Sequence, residues 1–480
     1  MPPAFLSRNP APRRGRSPRG FALAALCTLL AGCATAPLPD LHAPAPAQWR
    51  HAAADTAGAA PVDLHGWWHA FGDPQLDALV DKALARNLDV AQAVERLRAA
   101  RDLHRKVGAR YLPQLHARTE DAFDPDASAS FFLAGFDAMW ELDFFGRGAA
   151  DKRMTRGDLD AAAADLRGAR VSLVAEVARD WLDLRAAQQQ VLWLERIRDA
   201  RRGQSDAAQA RQRLRLASAL DVEQARAALA QAEAALAEPR QAVDANAQQL
   251  AILLGQAEPD PAWLQAGPMP SLGAWRLESA PADLLRSRPE ILRAEAEVLH
   301  AAGEAGMARA NQYPSLAIGG SLTWSTSLLA HRPTNDNAIF STGPLIDIPL
   351  FDWGMRRAQA HAKQHELRAS VLAYRQSVLQ GVAEVETALG KLEQQADYES
   401  RCADAASALE KADAAVERRV ALRLAGPADR TDSTIARDQA ALALAQARAG
   451  RGLAFVALFK ALGGAPLPAG DQGALAQGHD

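Results

Sequence analysis

Few residues in this 480-residue chain are spaced for chemistry. His65 and His69 are four apart but flank Trp67-Trp68 ahead of the first helix, with no further His, Cys or carboxylate cluster beside them. A metal centre needs at least a third ligand. Glu384 and Glu386 are two apart on a helical stretch, so they leave from different faces and form no acid–base pair. There is no Gly-x-Ser-x-Gly, His-Glu-x-x-His or phosphate loop, and the six methionines are too scattered for a copper relay. The chain therefore reads as a non-enzyme without a cofactor. One thiol stands out: in "LLAGCATAP", Leu29 to Pro37, Cys33 follows an apolar run at a small–small step. The chemistry available there is acylation.

The stretch ahead of Cys33 has the three parts of an export signal. Arg8, Arg13, Arg14, Arg16 and Arg19 make it basic, and Phe21–Leu30 is an apolar run of ten residues. A helix needs about 20 to span a bilayer. Leu30-Ala31-Gly32-Cys33 fits a lipobox, the pattern of bacterial lipoprotein precursors. The resemblance implies cleavage before Cys33 and a covalent lipid on it; the competing reading is an ordinary cleavage site with an incidental cysteine. Ala34 stands where Asp often marks inner-membrane retention, so the same analogy sends the lipoprotein to the outer membrane.

Residues 1–32 hold five Arg and no Asp or Glu, so the expected mature chain of 448 residues carries 49 basic and 57 acidic side chains, a formal net charge of −8. That balance argues against a nucleic-acid partner. Cys33 and Cys402 are the cysteines left, and an acylated Cys33 leaves no disulfide. Aromatics are only 6%, and Ala, Arg, Gln and Leu dominate long stretches, the mark of long helices packed through small side chains. After the signal no run of eighteen apolar residues occurs, so no transmembrane helix is expected.

Residues 34–62 are rich in Ala and Pro and read as an extended tether. Asp73 is placed to cap a helix that opens on Pro74 and shows an apolar face of Leu76, Leu79, Val80, Ala83 and Leu84. The chain then repeats itself. "ARYLPQL" returns as "NQYPSL" with Pro113 opposite Pro314, and "WELDFFGRG" returns as "IDIPLFDWG" with Phe145 opposite Phe351. "LRLASALD" (Leu214–Asp221) returns as "LRLAGPAD" (Leu422–Asp429), and "ILLG" (Ile252–Gly255) as "KALG" (Lys460–Gly463). The offsets are 201, 206, 208 and 208 residues. The expected organisation is a signal at 1–32, a lipidated N-terminus and tether at 33–72, repeats at 73–262 and 279–466, and a disordered tail at 467–480.

Each repeat reads as helix, two strands, then two long helices, a mainly α chain with a small β part. The strands are expected within 113–146 and 314–353; "SLAIGGSLTWSTSLL" puts Leu316, Ile318, Gly320, Leu322 and Trp324 on one alternate set. From Gly148 to Arg213 and from Gly354 to Leu422 there is no Pro, and each stretch is long enough for a helix of roughly 100 Å. Pro239 is expected to kink the helix after Asp221; position 447, its counterpart at an offset of 208, is Ala. Four membrane-type strands cannot satisfy their own edges in lipid, and barrels start at about eight strands. Two chains would give eight strands and a filled interior, three would give twelve and a lumen. A helical sleeve on an open barrel makes sense as a duct, which favours a trimer.

At this point the residues match a known family. The chain resembles TolC-like outer-membrane efflux factors of the acylated NodT/OprM-type branch, through "WWHAFGDPQLDALVDKALARN", "WELDFFGR", "LASALDVEQARAALAQAEAAL", "LAILLG", "LLRSRPEILRAEAEV", "YPSL", "GPLIDIPLFDWGMRRAQ" and "ALFKALGG", from about Trp67 to Gly464. The resemblance implies a homotrimer with a twelve-stranded barrel in the outer membrane, continued by a helical barrel through the periplasm. It implies an exit duct for small molecules, drugs or toxic compounds, in a tripartite pump with a periplasmic adaptor and an inner-membrane transporter that supplies the energy. The helix tips, "RQRLRLASALDVEQ" and "RRVALRLAGPADRTDSTIARD", match the family's periplasmic gate and adaptor-docking end. Leu216, Ala217, Ser218, Asp221, Gly426 and Pro427 are the docking candidates; Asp432 and Asp429 are gate acids, with Arg423 and Arg430 placed to pair with them. Asp221 also reads as a plain helix cap.

Two registers compete at the tips. An offset of 208 pairs Asp221 with Asp429, and one of 211 pairs Asp221 with Asp432 and Ala225 with Ala436. The family tip often reads Tyr-x-x-Gly, whereas this one reads Arg423-Leu424-Ala425-Gly426-Pro427, and the connection Glu120–Ser130 is short. The alternatives are a pore-less coiled-coil lipoprotein and a duct for type I protein secretion.

Overall fold

The computed structural model of the protein describes residues 38–41, 46, 48–51, 60–122, 131–273, 275–276, 287–327 and 337–466. Cys33, the expected signal, much of the tether, residues 123–130 of the first hairpin connection and the tail from 467 lie outside them. The chain is mostly helical with a small sheet. In order, β1 (Ala60–Pro61) and a 3₁₀ turn (Trp67–Phe71) lead into α1 (Pro74–Arg86) and α2 (Leu88–Lys106). The hairpin β2 (Gln114–Ala122) and β3 (Phe131–Leu142) is followed by α3 (Arg147–Arg213), α4 (Ala219–Ala234) and α5 (Ala237–Leu253). Then come β4 (Trp275–Arg276), α6 (Pro289–Ala310), the hairpin β5 (Ser315–Ser327) and β6 (Asn337–Asp347), α7 (Met355–Ala421) and α8 (Pro427–Ala461).

The helices α3 and α7 are 67 residues each, about 100 Å at 1.5 Å per residue. Both open after a left-handed glycine, Gly146 (φ 79°) and Gly354 (φ 81°), 208 residues apart. Phe145 is therefore matched by Trp353, two residues beyond the Phe351 that sequence similarity selects. The expected kink at Pro239 falls elsewhere: the helix breaks at Ala235–Leu236, and Pro239 sits in the first turn of α5. A first-turn N–H has no partner inside its helix, so proline costs little there. α8 runs 35 residues unbroken through Ala447.

Two compact units emerge. One is built on Arg105–Thr155 and Leu299–Leu367 and holds the sheet, all antiparallel, in the order β2-β3-β5-β6. Residues directly opposite share a face. One row is Ala117, Phe136, Leu322 and Phe340; others join Trp140, Ile318 and Pro344, and Leu142, Leu316 and Ile346. The opposite face carries His116, Asp137, Ser321 and Ser341 in one row and Arg118, Gly135, Thr323 and Ile339 in the next. A trough of about 580 Å³ lies on this polar side, lined by His116, Arg118, Asp137, Ser321 and Ser341 among others. Gly135 is forced, since a Cβ there would come within 2.5 Å of the Leu322 carbonyl oxygen. β2 and β6 end the order, and neither outer edge meets another strand among the described residues.

The other unit draws on Asp40–His104, Arg156–Val298 and Arg368–Asp480. Its core buries Trp67 against Phe459, with rings stacked 5.6 Å apart, and the Trp67 indole N–H donates to the Gly464 carbonyl at 3.1 Å. Asp73 caps α1 by accepting from the Gln75 and Leu76 amides, while its second oxygen accepts from the Trp181 indole at 2.8 Å. The cap thus fastens α1 to α3. Buried Arg185 stacks on Trp181 and donates to Gln75, Gln188 and the Gln265 carbonyl. α8 is the one helix among the described residues long and apolar enough to cross a bilayer by length and composition, but its Phe455, Leu458 and Phe459 are buried in this core.

Candidate functional site at the helix tips

The tips of α3–α4 and α7–α8 reverse direction through the same hydrogen bonds. Arg215 N donates to the Gln212 carbonyl and Leu216 N to that of Arg211, both at 2.8 Å. Arg423 N donates to Val420 at 2.9 Å and Leu424 N to Arg419 at 2.8 Å. These are paired helix-ending bonds with a left-handed residue between them. Here that residue is Arg, at φ 59° for Arg215 and 58° for Arg423, where glycine is usual. The backbone match fixes the offset at 208 and makes Asp429 the counterpart of Asp221; Asp432 corresponds to Gln224.

Both acids cap their own turn. Asp221 Oδ2 accepts from the Ser218 amide and hydroxyl at 2.8 Å, and Ser218 Oγ accepts from the Asp221 amide at 3.2 Å, a complete capping box. The bonds from the Ser218 amide and hydroxyl hold the Asp221 carboxyl below its ordinary value. Asp429 Oδ2 accepts from the Gly426 amide at 2.8 Å; Gly426 has no side chain to complete the box, and Pro427 starts the helix with its φ preset. Around the turns Leu214, Leu216, Leu220, Leu422 and Leu424 stay about two-thirds exposed or more. Each tip is thus an apolar knob rimmed by a capping carboxylate, with Ala217 beside Leu216 and Ser218.

Asp432 is exposed, and its Oδ1 accepts from Gln204 Nε2 at 2.6 Å, tying α8 to α3. Arg430 does not turn toward Asp429 or Asp432. It bonds Asp413, 17 residues back on α7, with Glu417 at 3.5 Å. Asp413 also accepts from Arg437 at 2.8 Å, and Arg437 donates to Asp438. Asp413 and Asp438 are 3% and 1% exposed, so the cluster Asp413–Arg430–Arg437–Asp438 is a sunken ionic lattice under the second tip. Arg423 makes no ion pair among the described residues.

Sequence spacing missed Asp413, Arg437, Asp438 and Gln204. The lattice joins residues across a turn, and neither hairpin arm alone shows it. The sequence-noted pairs elsewhere diverge. His65 faces the Ala465 carbonyl and His69 faces Asp77. Glu384 pairs with Arg288, while Glu386 accepts from the Arg50 and His51 amides. Cys33 lies outside the described residues.

A family model described as outer membrane efflux protein matches residues 79–256 and 280–464. The pyoverdine export outer membrane protein OpmQ of Pseudomonas aeruginosa is 31% identical over 400 residues, 78% of this chain and 82% of the relative. Nodulation protein T of Rhizobium leguminosarum bv. viciae is 28% identical over 378 residues, 77% of each chain. The solved outer-membrane channel OprN superposes with a TM-score of 0.77 at 26% identity, covering 90% of this chain and all of that one.

Proposed function

We propose a working arrangement from the premise that this chain belongs to the outer membrane efflux protein family and is the outer-membrane component of a tripartite efflux pump. Three copies close the barrel. The observation that carries this is the four-stranded sheet with two unpaired edges, one apolar face and one polar concave face. In lipid an open edge leaves backbone groups unsatisfied at several kcal/mol each, so the edges must meet. Twelve strands leave a lumen that eight would fill. The apolar rows through Phe136, Leu322 and Phe340 then face lipid, and the trough with Arg118 and Asp137 faces water.

The two 67-residue helices of each copy continue the barrel as a periplasmic sleeve, a passive exit path whose energy comes from an inner-membrane transporter. The two halves, alike from Gly146 to Gly255 and from Gly354 to Gly463 at a constant offset of 208, arose by duplication. The exposed leucine knobs with Ala217, Ser218, Asp221, Gly426 and Pro427 dock the periplasmic adaptor. Asp429 and Asp432, tripled by symmetry, ring the closed end with acid, which favours cations. A lipid on Cys33 adds a second hold on the outer membrane. The cargo is small molecules, drugs or toxic compounds.

Native mass spectrometry of gently extracted protein tests the arrangement. The expected mass is three mature chains with three lipids. A monomer or an open dimer would return the long helices to a pore-less role. In planar bilayers, Asp432→Asn with Asp429→Asn should lower the preference for cations; unchanged selectivity would remove these acids from the gate.

A further inference from the structure

We infer that neighbouring copies join in one register, with Asp347 at the edge of β6 opposite Arg118 on β2 of the next copy. The inference rests on the trimer reading and adds the residue-level seam. Within one chain the halves are joined by β3 and β5, whose pairs run from Phe131 opposite Ser327 to Leu142 opposite Leu316. The seam between copies repeats that join, with β6 in place of β3 and the next β2 in place of β5.

Two offsets translate one join into the other. Pro113 and Pro314, just before β2 and β5, differ by 201; the left-handed Gly146 and Gly354, just after β3 and β6, differ by 208. The hairpins check the sum of the two values, and the paired left-handed glycines fix the 208 by themselves. Gln114 is opposite Met139, which translates to Ser315 opposite Asp347, an observed pair. The offset of 206 suggested by Phe145 and Phe351 would put Ser315 opposite Leu345, whereas Leu345 faces Ala317.

Applied to the seam, Met139 opposite Gly319 becomes Asp347 opposite Arg118, and Leu142 opposite Leu316 becomes Leu350 opposite Leu115. The stack of Phe145 on Tyr313, 5.1 Å apart, becomes Trp353 over Leu112. Three features of the lone chain fit. Asp347 and Arg118 have opposite charge and both project on the polar face, and Asp347 makes no ion pair among the described residues. Leu350 and Trp353 are 88% and 90% exposed, with Leu115 at 70% and Leu112 at 59%. β6 stops at Asp347, although the equivalent of Leu142 is Leu350, so the strand has room to extend through Ile348 to Leu350 when an edge arrives, Pro349 donating no N–H. Arg118 already lies 3.7 Å from Asp137, so the seam would hold it between two carboxylates.

Disulfide trapping tests the register. Disulfides need Cα atoms within about 7 Å. In one chain the two positions lie on opposite edges of the sheet, three strand spacings or about 14 Å apart across the strands and further still along them, since the row of Arg118 ends at Ile339, so any link must join different copies. In the full-length chain carrying Cys402→Ala, the pair Arg118→Cys with Asp347→Cys, oxidised in membranes, should run on gels as a thiol-reversible trimer. The pair His116→Cys with Asp347→Cys should link far less. Stronger linking at 116, or none at 118 while native mass spectrometry still shows a trimer, overturns the register alone. Loss of the trimer in the parent chain overturns the arrangement beneath it. As a second readout, Arg118→Asp and Asp347→Arg should each lower the temperature at which the trimer dissociates in detergent, and the double reversal should restore most of it; additive losses would argue against the pair.

Discussion

The two helical hairpin tips share a backbone and differ in what lies beneath it. Counting back 208 residues from Asp413, Arg430, Arg437 and Asp438 gives Ser205, Val222, Leu229 and Ala230. Ser205, in the place of Asp413, and Val222, in the place of Arg430, are each 2% exposed, as sunken as Asp413 itself. Where the second tip holds an ionic lattice, the first holds small and apolar side chains, with Ala230 exposed where Asp438 is buried. The helix-ending bonds use main-chain atoms, so they tolerate either filling. The ionic filling is not the more stable by default, because desolvating charges costs about what their attraction returns. It is the more exacting, since each guanidinium must find its carboxylate, and a missing partner leaves a buried charge.

That contrast can be broken by removing one charge. Asp413→Ala should take one carboxylate from Arg430 and Arg437, leaving them Glu417 and Asp438, and destabilise the second tip by about 1–3 kcal/mol. Amide exchange across residues 423–439 should accelerate accordingly, while Ser205→Ala leaves the first tip nearly unchanged. Equal responses would end the distinction.

A contrast of the reverse sign lies midway along α3. Asp180 is 3% exposed, with Ala388 at the equivalent place on α7. Burial pushes the Asp180 carboxyl up to about 6, against the pull of Arg179. A raised carboxylate pKa means the folded chain holds its proton more tightly than the unfolded one, so stability falls as pH rises from about 4 to 6 and is then flat. Asp180→Asn should remove that fall and stabilise the protein at pH 7.5 by roughly 2 kcal/mol. Unfolding midpoints of both chains at pH 5 and 7.5 would show it, and a pH-independent difference would contradict the buried charge.

The smaller effects concern the caps. Ser218→Ala deletes half of the capping box and should cost about 1 kcal/mol. Gly426→Ser should supply the half that the second tip lacks, gaining about 0.3 kcal/mol. A Cβ at Gly426 would meet only Asp429 Oδ2 at 3.6 Å, so the change fits. If thermal melts of the isolated effects show the opposite order, the two turns are not equivalent.

Much of this was legible in the chain. Asp73 and Pro74 announce their helix, and the absence of proline gives α3 and α7 nearly to the residue. Period-two patterning places Leu316 to Trp324 on one face of β5. The rest required geometry. Phe145 and Phe351 look equivalent because aromatic identity survives where backbone position has slipped by two, and only the paired left-handed glycines reveal the slip. Asp221 was ambiguous between two registers because Asp429 and Asp432 are chemically alike; the turn hydrogen bonds separate them. Arg430 seemed free for nearby acids, but its carboxylate comes from the other arm of the hairpin.

The equal length of α3 and α7 has a consequence for inheritance. One inserted residue advances everything beyond it by 1.5 Å and turns it by about 100°, carrying buried positions to the outside. Such helices behave like meshed gears with a fixed tooth count. Point substitutions are cheap to them, whereas a lone codon gained or lost throws the whole train out of mesh. Lengthening of this sleeve should therefore be found only as near-whole turns of seven or eleven residues, added to both halves together.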